Sequence, residues 1–320
     1  MQEHYIQGVK LRQRYMIDYP FLNRTYKASD LYVLSDDMNR CLVSAAANLA
    51  GFYAQSVNTY PNLPGWPSNW SPVPIHTVDL STDHLFNYGT CPRSIVLEGE
   101  RILKQGFLQY FIQEMPLLMN ISQNAGFNFL QINDYIHFID CMITERFNNY
   151  TLPSWITDSI YNQGVKLAST VLDYIYGSAL LGEDEDTEQL MLRGGPLLKE
   201  IITNMQNANH GQRSHLYYAY SGHDTTLAAL LRVLGAKENV LGDTQPAFAS
   251  TIVFELWKMS DGSNQVQIAY SDDADTPFRD ITQFISGCPL NNICPFETFL
   301  NRSQPYLPTD ISQQCLNLNG

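Results

Sequence analysis

Apolar side chains recur at helical spacing over residues 1–19, at Tyr5, Ile6, Val9, Leu11 and Tyr15, which predicts an amphipathic helix. Asp30-Leu31-Tyr32-Val33-Leu34 follows as a short buried-strand pattern. Ser35-Asp36-Asp37 then reads as capping chemistry for a helix through Arg40, Leu42, Ala46 and Leu49. Residues 58–93 are rich in Pro, Trp, Asn and Ser, and the aromatics that continue through them suit a long loop or cap over a sheet rather than a linker. Helical periodicity returns over 97–119, 132–147 and 155–176, a helical insertion. The run Gly182-Glu183-Asp184-Glu185-Asp186 reads as a solvated loop, and Gly194-Gly195-Pro196 as the start of another helix with Pro preset for its first turn. Residues 214–220 form an aromatic strand that runs into Ser221-Gly222-His223-Asp224, followed by a Thr-capped helix that stops at Gly235. Residues 250–258 and 265–271 flank Asp261-Gly262 as an antiparallel pair at a sheet edge. No internal repeat is present.

Composition narrows the setting. With 320 residues and 44% apolar side chains the chain can bury one large core or two modest ones. No run approaches the ~18 apolar residues of a membrane span. Nineteen basic against 32 acidic residues give a net charge of −13, the wrong sign for tracking nucleic acid phosphates. Charged residues are only 16% of the chain, against about 25% in an average soluble domain, and a surface carried by neutral polar groups suits an extracellular or lysosomal compartment. Six cysteines, at 41, 91, 141, 288, 294 and 315, contain no C-x-x-C pair, and no histidine completes a zinc spacing, which argues against a metal site. Cys288 and Cys294 lie in a turn-rich stretch that a disulfide could staple. Glycosylation sequons begin at Asn23, Asn69, Asn120, Asn149 and Asn301. The opening Met-Gln-Glu-His-Tyr has neither the basic nor the apolar region of a signal peptide, so either one is missing upstream or the protein is cytosolic.

The chemistry concentrates at His223-Asp224. In open α/β sheets ligands collect at the carboxyl ends of strands, where a helix N-terminus offers free N–H groups to an anion. A histidine there can hold a phosphoryl oxygen, and an adjacent carboxylic acid can protonate a departing alcohol, so the pair suits phosphate-ester cleavage. A helix-capping Asp is the bland alternative. His4, His76, His84, His137, His210 and His215 read as structural or solvated. Ser221 lacks the G-x-S-x-G context of a hydrolase nucleophile, and no nucleotide-binding glycine loop occurs.

Tyr220-Ser221-Gly222-His223-Asp224-Thr225-Thr226 before an apolar helix resembles the second catalytic motif of the histidine acid phosphatases, the group that includes prostatic and lysosomal acid phosphatases. The similarity extends through Gln2-Glu3-His4-Tyr5 with Gly8, Arg14-Tyr15, Phe21-Leu22-Asn23, Asn39-Arg40 with Ser44, Pro74-Ile75-His76-Thr77, Cys91-Pro92-Arg93, 149–155 and Gly194-Gly195. It implies an α/β domain of residues 1–57 and 193–320 built on a central mixed sheet with flanking helices, and a smaller, mainly helical cap domain of residues 58–192. It implies phosphomonoester hydrolysis at acid pH through a phosphohistidine, with no metal or organic cofactor. His223 matches a phosphate-binding histidine and Asp224 the general acid. Cys91–Cys315 and Cys288–Cys294 match family disulfides. Cys141 matches a half-cystine whose partner position is Thr251 here, and Cys41 has no counterpart, leaving a Cys41–Cys141 bridge or two free thiols open. Asn23 and Asn149 are the sequons that fall within matching segments.

Two departures stand out. The family motif R-H-G-x-R-x-P, which carries the nucleophile on a central strand, occurs nowhere in the chain, and Leu34 stands where the family has a phosphate-binding arginine. Leucine cannot replace the guanidinium's fork of donors. The expectation is therefore a piece of a longer secreted or lysosomal phosphatase, with the motif upstream of Met1, or a non-catalytic binding relative. Either way the 320-residue chain is expected to lack turnover, and loss of the central strand should unpair two neighbouring edges. Small phosphomonoesters or phosphorylated peptides are the implied partners, and a homodimer the assembly to test for. A phytase-like reading fits less well, since that branch places alanine and glutamate after the motif histidine.

Overall fold

The computed structural model describes residues 1–56, 59–67, 70–86, 90–127, 132–289 and 292–318. Helix α1 (Gln2–Arg12) passes into one wider turn, Gln13–Asp18, whose Tyr19 N–H reaches back five residues to the Arg14 carbonyl at 2.9 Å. Strand β1 (Leu31–Asp36) runs two residues beyond the apolar pattern, because the Ser35 and Asp36 side chains are buried as deeply as the leucines before them. Helix α2 (Asn39–Phe52) packs on α1 at backbone distance. A Cβ on Gly8 would lie 1.9 Å from the Asn48 carbonyl oxygen, and one on Gly51 2.0 Å from that of Tyr5, so only glycine allows the crossing.

Strand β2 (His76–Val78) emerges from the Pro-rich segment and pairs with β1. The first predicted helix of the insertion is two helices, α3 (Pro92–Ile102) and α4 (Gln105–Ala125), broken at Leu103-Lys104. Pro92 opens α3 at a position where its missing N–H is harmless, and Gly126 closes α4 in the left-handed region. Then come α5 (Ile132–Phe147) and α6 (Asp158–Ile175), the latter capped by the Thr157 hydroxyl. These helices enclose a core of their own that includes Phe107, Leu118, Ile121, Ile139 and Tyr174.

Helix α7 (Thr187–Asn209) corrects the sequence reading. It begins well before Gly194-Gly195-Pro196, with the Asp186 carboxylate accepting the Gln189 N–H at 2.9 Å, so the acidic run ends in a helix cap and Pro196 lies inside the helix. The paired glycines mark a close approach, where a Cβ on Gly194 would sit 2.6 Å from the Ala229 carbonyl oxygen.

Strand β3 (Tyr217–Ser221) pairs parallel with β1 on the side opposite β2, in a register that sets Leu34 beside Tyr220 and Ser35 beside Ser221. Helices α8 (Asp224–Val233) and α9 (Lys237–Leu241) follow. Strands β4 (Thr251–Lys258) and β5 (Asn264–Ser271) form the expected antiparallel pair, joined on β5 by β6 (Arg279–Asp280) and β7 (Cys294–Pro295). Helices α10 (Phe296–Ser303) and α11 (Ile311–Leu316) complete the chain. The strands thus fall into two sheets, a parallel β2-β1-β3 and an antiparallel β4-β5-β6 with β7. Among the described residues β3 pairs only with β1 and β4 only with β5, and both line one cleft of about 2370 Å³.

The helical core is fastened to α8 and α9 through one carboxylate. Asp173 of α6 accepts from Arg232 Nε at 2.9 Å and Nη2 at 2.6 Å, and its other oxygen takes Lys237 Nζ. All three side chains are buried. Removing the shared anion strands two buried cations, so Asp173→Ala should cost about 3–5 kcal/mol, read as a lowered urea midpoint with unchanged slope.

Candidate active site

The register of β1 and β3 brings their carboxyl ends level, so that Asp36 at the end of one faces the turn that leaves the other. That turn needs glycine at 222, since a Cβ there would lie 2.8 Å from the Phe86 ring. His223 follows in extended backbone and is itself the N-cap residue of α8, and its N–H donates to Thr226 Oγ1 at 3.3 Å. The threonine therefore supports the cap from inside the helix instead of forming it. Asp224 is exposed in the first turn, where its Oδ1 accepts the Thr225 N–H at 2.8 Å.

Asp36 overturns the reading of Ser35-Asp36-Asp37 as capping chemistry. The N-cap of α2 is Met38, with no side-chain cap, while the Asp36 carboxylate, 1% exposed, makes a short hydrogen bond through Oδ2 with His223 Nε2. Its second oxygen, Oδ1, is buried without a hydrogen-bond partner among the described residues. Arg40 Nη2 stands 3.4 Å from His223 Nδ1. A guanidinium can only donate, so Nδ1 is the acceptor in this geometry and Nε2 carries the proton toward Asp36. Cys41, in the first turn of α2, lays its Sγ 3.7 Å from Nε2 and 3.9 Å from Nδ1, and its backbone carbonyl accepts from Ser221 Oγ at 2.9 Å. Burial and the Asp36 charge push the Cys41 thiol up.

The cleft beside this cluster is lined by Arg40, Cys41, His223 and Asp224, and from α5 by His137 and Asp140. Desolvation by the cleft walls, and then the Asp224 charge, raise the Asp140 carboxyl above its ordinary value. Sequence reasoning missed Asp36, Cys41 and Asp140. Asp36 was legible only through its position two residues beyond the apolar strand pattern, and Asp140 sits on a helical face with no motif around it. The remaining site residues lie apart. Cys91–Cys315 ties the start of α3 to α11, and Cys288–Cys294 closes a short loop; Cys41 is a buried free thiol and Cys141 an exposed one. Asn23, Asn120, Asn149 and Asn301 are exposed, and Asn69 falls outside the described residues.

Parallel strands whose carboxyl ends present His223 and Asp224 at a helix N-terminus beside a cleft define an α/β protein. The model of the histidine phosphatase superfamily (branch 2) matches residues 1–271, and the chain belongs to that family. Lysosomal acid phosphatase of Rattus norvegicus is 30% identical over 98% of this chain and 70% of its own length, and prostatic acid phosphatase of the same organism is 30% identical over 100% and 80%. The solved phytase of Citrobacter braakii superposes with a TM-score of 0.66 at 16% identity, covering 98% of this chain and 87% of that one, a likeness of fold.

Because the Asp140 pKa is raised on folding, the native chain holds that proton more tightly than the unfolded chain. The resulting stability is present below the ordinary value of 3.8 and is lost as pH rises through the folded-state value. Asp140→Asn should therefore flatten the fall in urea midpoint as pH rises above about 4.

Proposed function

We propose that this chain is a phosphomonoester-binding histidine acid phosphatase relative that, as these 320 residues, does not turn substrate over. The observation that carries the reading is the commitment of His223 Nε2 to the buried Asp36 carboxylate, beside an apolar Leu34 at the end of the same strand. Phosphohistidine chemistry needs a nucleophilic imidazole, two arginine clamps, a second histidine to hold the phosphoryl oxygens and an acid for the leaving alcohol. His223 and Asp224 supply the last two roles. R-H-G-x-R-x-P is absent from the chain, and a carboxylate stands where an incoming phosphoryl group needs positive charge. One misplaced donor costs about 2.7–4 kcal/mol in such sites, and loss of a nucleophile about 10⁶ in turnover.

We assign residues 1–57 and 193–320 to an α/β domain and 58–192 to a helical cap, a division supported by the separate core within α3–α6. The two disulfides, the exposed sequons and the lysosomal and prostatic names of the relatives support a secreted or lysosomal setting. A second reading, hydrolysis by a longer product, is favoured by the edges of β3 and β4, which among the described residues are open toward the cleft and could both pair with one further strand there.

The purified chain is expected to leave an aryl phosphate intact at acid pH while orthophosphate binds weakly. Leu34→Arg combined with Asp36→Asn should tighten orthophosphate binding at least tenfold by calorimetry, since a charge-assisted hydrogen bond contributes about 1.5–3 kcal/mol. Brisk hydrolysis by the unaltered chain that disappears in Asp224→Ala contradicts the proposal.

A further inference from the structure

The fold assembles a second kind of chemistry that the chain's linear spacing concealed. Asp36, Cys41 and His223 come from the end of β1, the first turn of α2 and the cap of α8, and one ligand atom from each lies within 4.8 Å of the others. The geometry points to a binding site for a borderline divalent transition-metal ion of the Zn²⁺ class, held by the Asp36 carboxylate, the Cys41 thiolate and the His223 imidazole.

The donor set is chemically matched to such an ion. Thiolate and imidazole select Zn²⁺ over the harder Mg²⁺ and Ca²⁺, and three protein ligands with one position open to a cleft is the arrangement of a solvent-accessible zinc site. Bond lengths of about 2.0–2.3 Å in a tetrahedron set neighbouring ligand atoms some 3.3–3.7 Å apart. Cys41 Sγ to His223 Nε2, at 3.7 Å, is already at that separation. Asp36 and His223 are closer, sharing a proton that the metal replaces, so the carboxylate and ring move apart on binding. The independent pointer is Asp36 Oδ1, a carboxylate oxygen buried at the cluster with nothing among the described residues to accept from. A buried anion in that condition is costly, and a cation bound there relieves it.

The charges balance. One carboxylate and one thiolate neutralise the 2+ ion, and the imidazole stays neutral. The Cys41 thiol gives its proton to the solvent. The imidazole proton passes from Nε2 to Nδ1, and Arg40, which is exposed, turns from Nδ1 into solvent. Around the cluster, Asp83 and Asp224 add negative charge against the cation of Arg40, and Asp83 is close enough to Asp36 that burial and then the Asp36 charge hold its carboxyl above the ordinary value. This field favours a bound cation. The site shares His223 with the proposed phosphate half-site and adds an oxygen of Asp36 and the sulfur of Cys41, so its test reads metal uptake alone.

Cobalt is the probe, because Co²⁺ reports its ligands optically. The chelator-treated 320-residue chain, kept reduced at the free thiols only, should take up one equivalent of Co²⁺ with a thiolate-to-metal charge-transfer band and the visible bands of a tetrahedral ion, both erased by one equivalent of Zn²⁺. Cys41→Ser should abolish the charge-transfer band, and Asp36→Asn should weaken Co²⁺ binding at least tenfold. Cys141→Ser, which removes the other free thiol, should leave the spectrum unchanged. Circular dichroism confirms that each variant is folded. A folded wild-type chain with no charge-transfer band, or a band that survives Cys41→Ser and vanishes in Cys141→Ser, overturns the proposal. Since activity is no part of the readout, failure here leaves the phosphate reading to its own test.

Discussion

A carboxylate buried at 1% exposure has to be answered by something, and in this chain Asp36 is answered by the imidazole of His223. An isolated ion in that position would cost several kcal/mol, so the contact constrains everything that touches it. It fixes the ring's tautomer through the donor-only Arg40 on the opposite nitrogen, and it ties the exit of β1 to the cap of α8. In the proposed reading that histidine would receive the negative charge of a phosphoryl group. Here the negative charge is built in, and the neighbouring position that would supply a guanidinium is the buried Leu34. The two features agree: both subtract positive potential from the place where a phosphoryl group would sit.

The scaffold that holds this pair is divided at its middle. Strand β3 ends one sheet and β4 another, with the cleft between them. What bridges the division is side-chain chemistry. Arg14 makes a two-pronged bond to Glu255 of β4, at 2.6 and 3.0 Å, and the Tyr15 hydroxyl donates to the same carboxylate at 2.6 Å, while the Tyr15 ring meets Tyr217 of β3 edge-on. Burial and the Glu255 charge raise the Tyr15 hydroxyl well above its usual value, so it stays a donor. Farther out, Asp173 performs the corresponding task between the helical core and α8. Two carboxylates therefore fasten, through buried or half-buried cations, elements that share little backbone pairing.

Much of the fold could be read from periodicity, and the reasons for the exceptions are physical. The β4 and β5 pair was legible because alternation and an Asp-Gly turn both point to a hairpin. The start of α7 was misplaced because Gly194-Gly195-Pro196 imitates a helix entrance, although the glycines serve close contact with α8 and the real signal was the capping Asp186. At the site, His223-Asp224 announced itself through a strand, a glycine and a helix in direct succession. Asp36 and Cys41 did not, since their meaning comes from the register of β1 against β3, which brings residues nearly two hundred positions apart into contact.

The most direct test is the protonation pattern of the His223 ring, observed through long-range ¹H–¹⁵N spectra of the imidazole at neutral pH. A proton on Nε2 in the wild-type chain, with Nδ1 unprotonated and the pattern lost in Asp36→Asn, is the result expected. A proton on Nδ1, or a ring that exchanges between tautomers as freely in the wild type as in Asp36→Asn, would contradict the account.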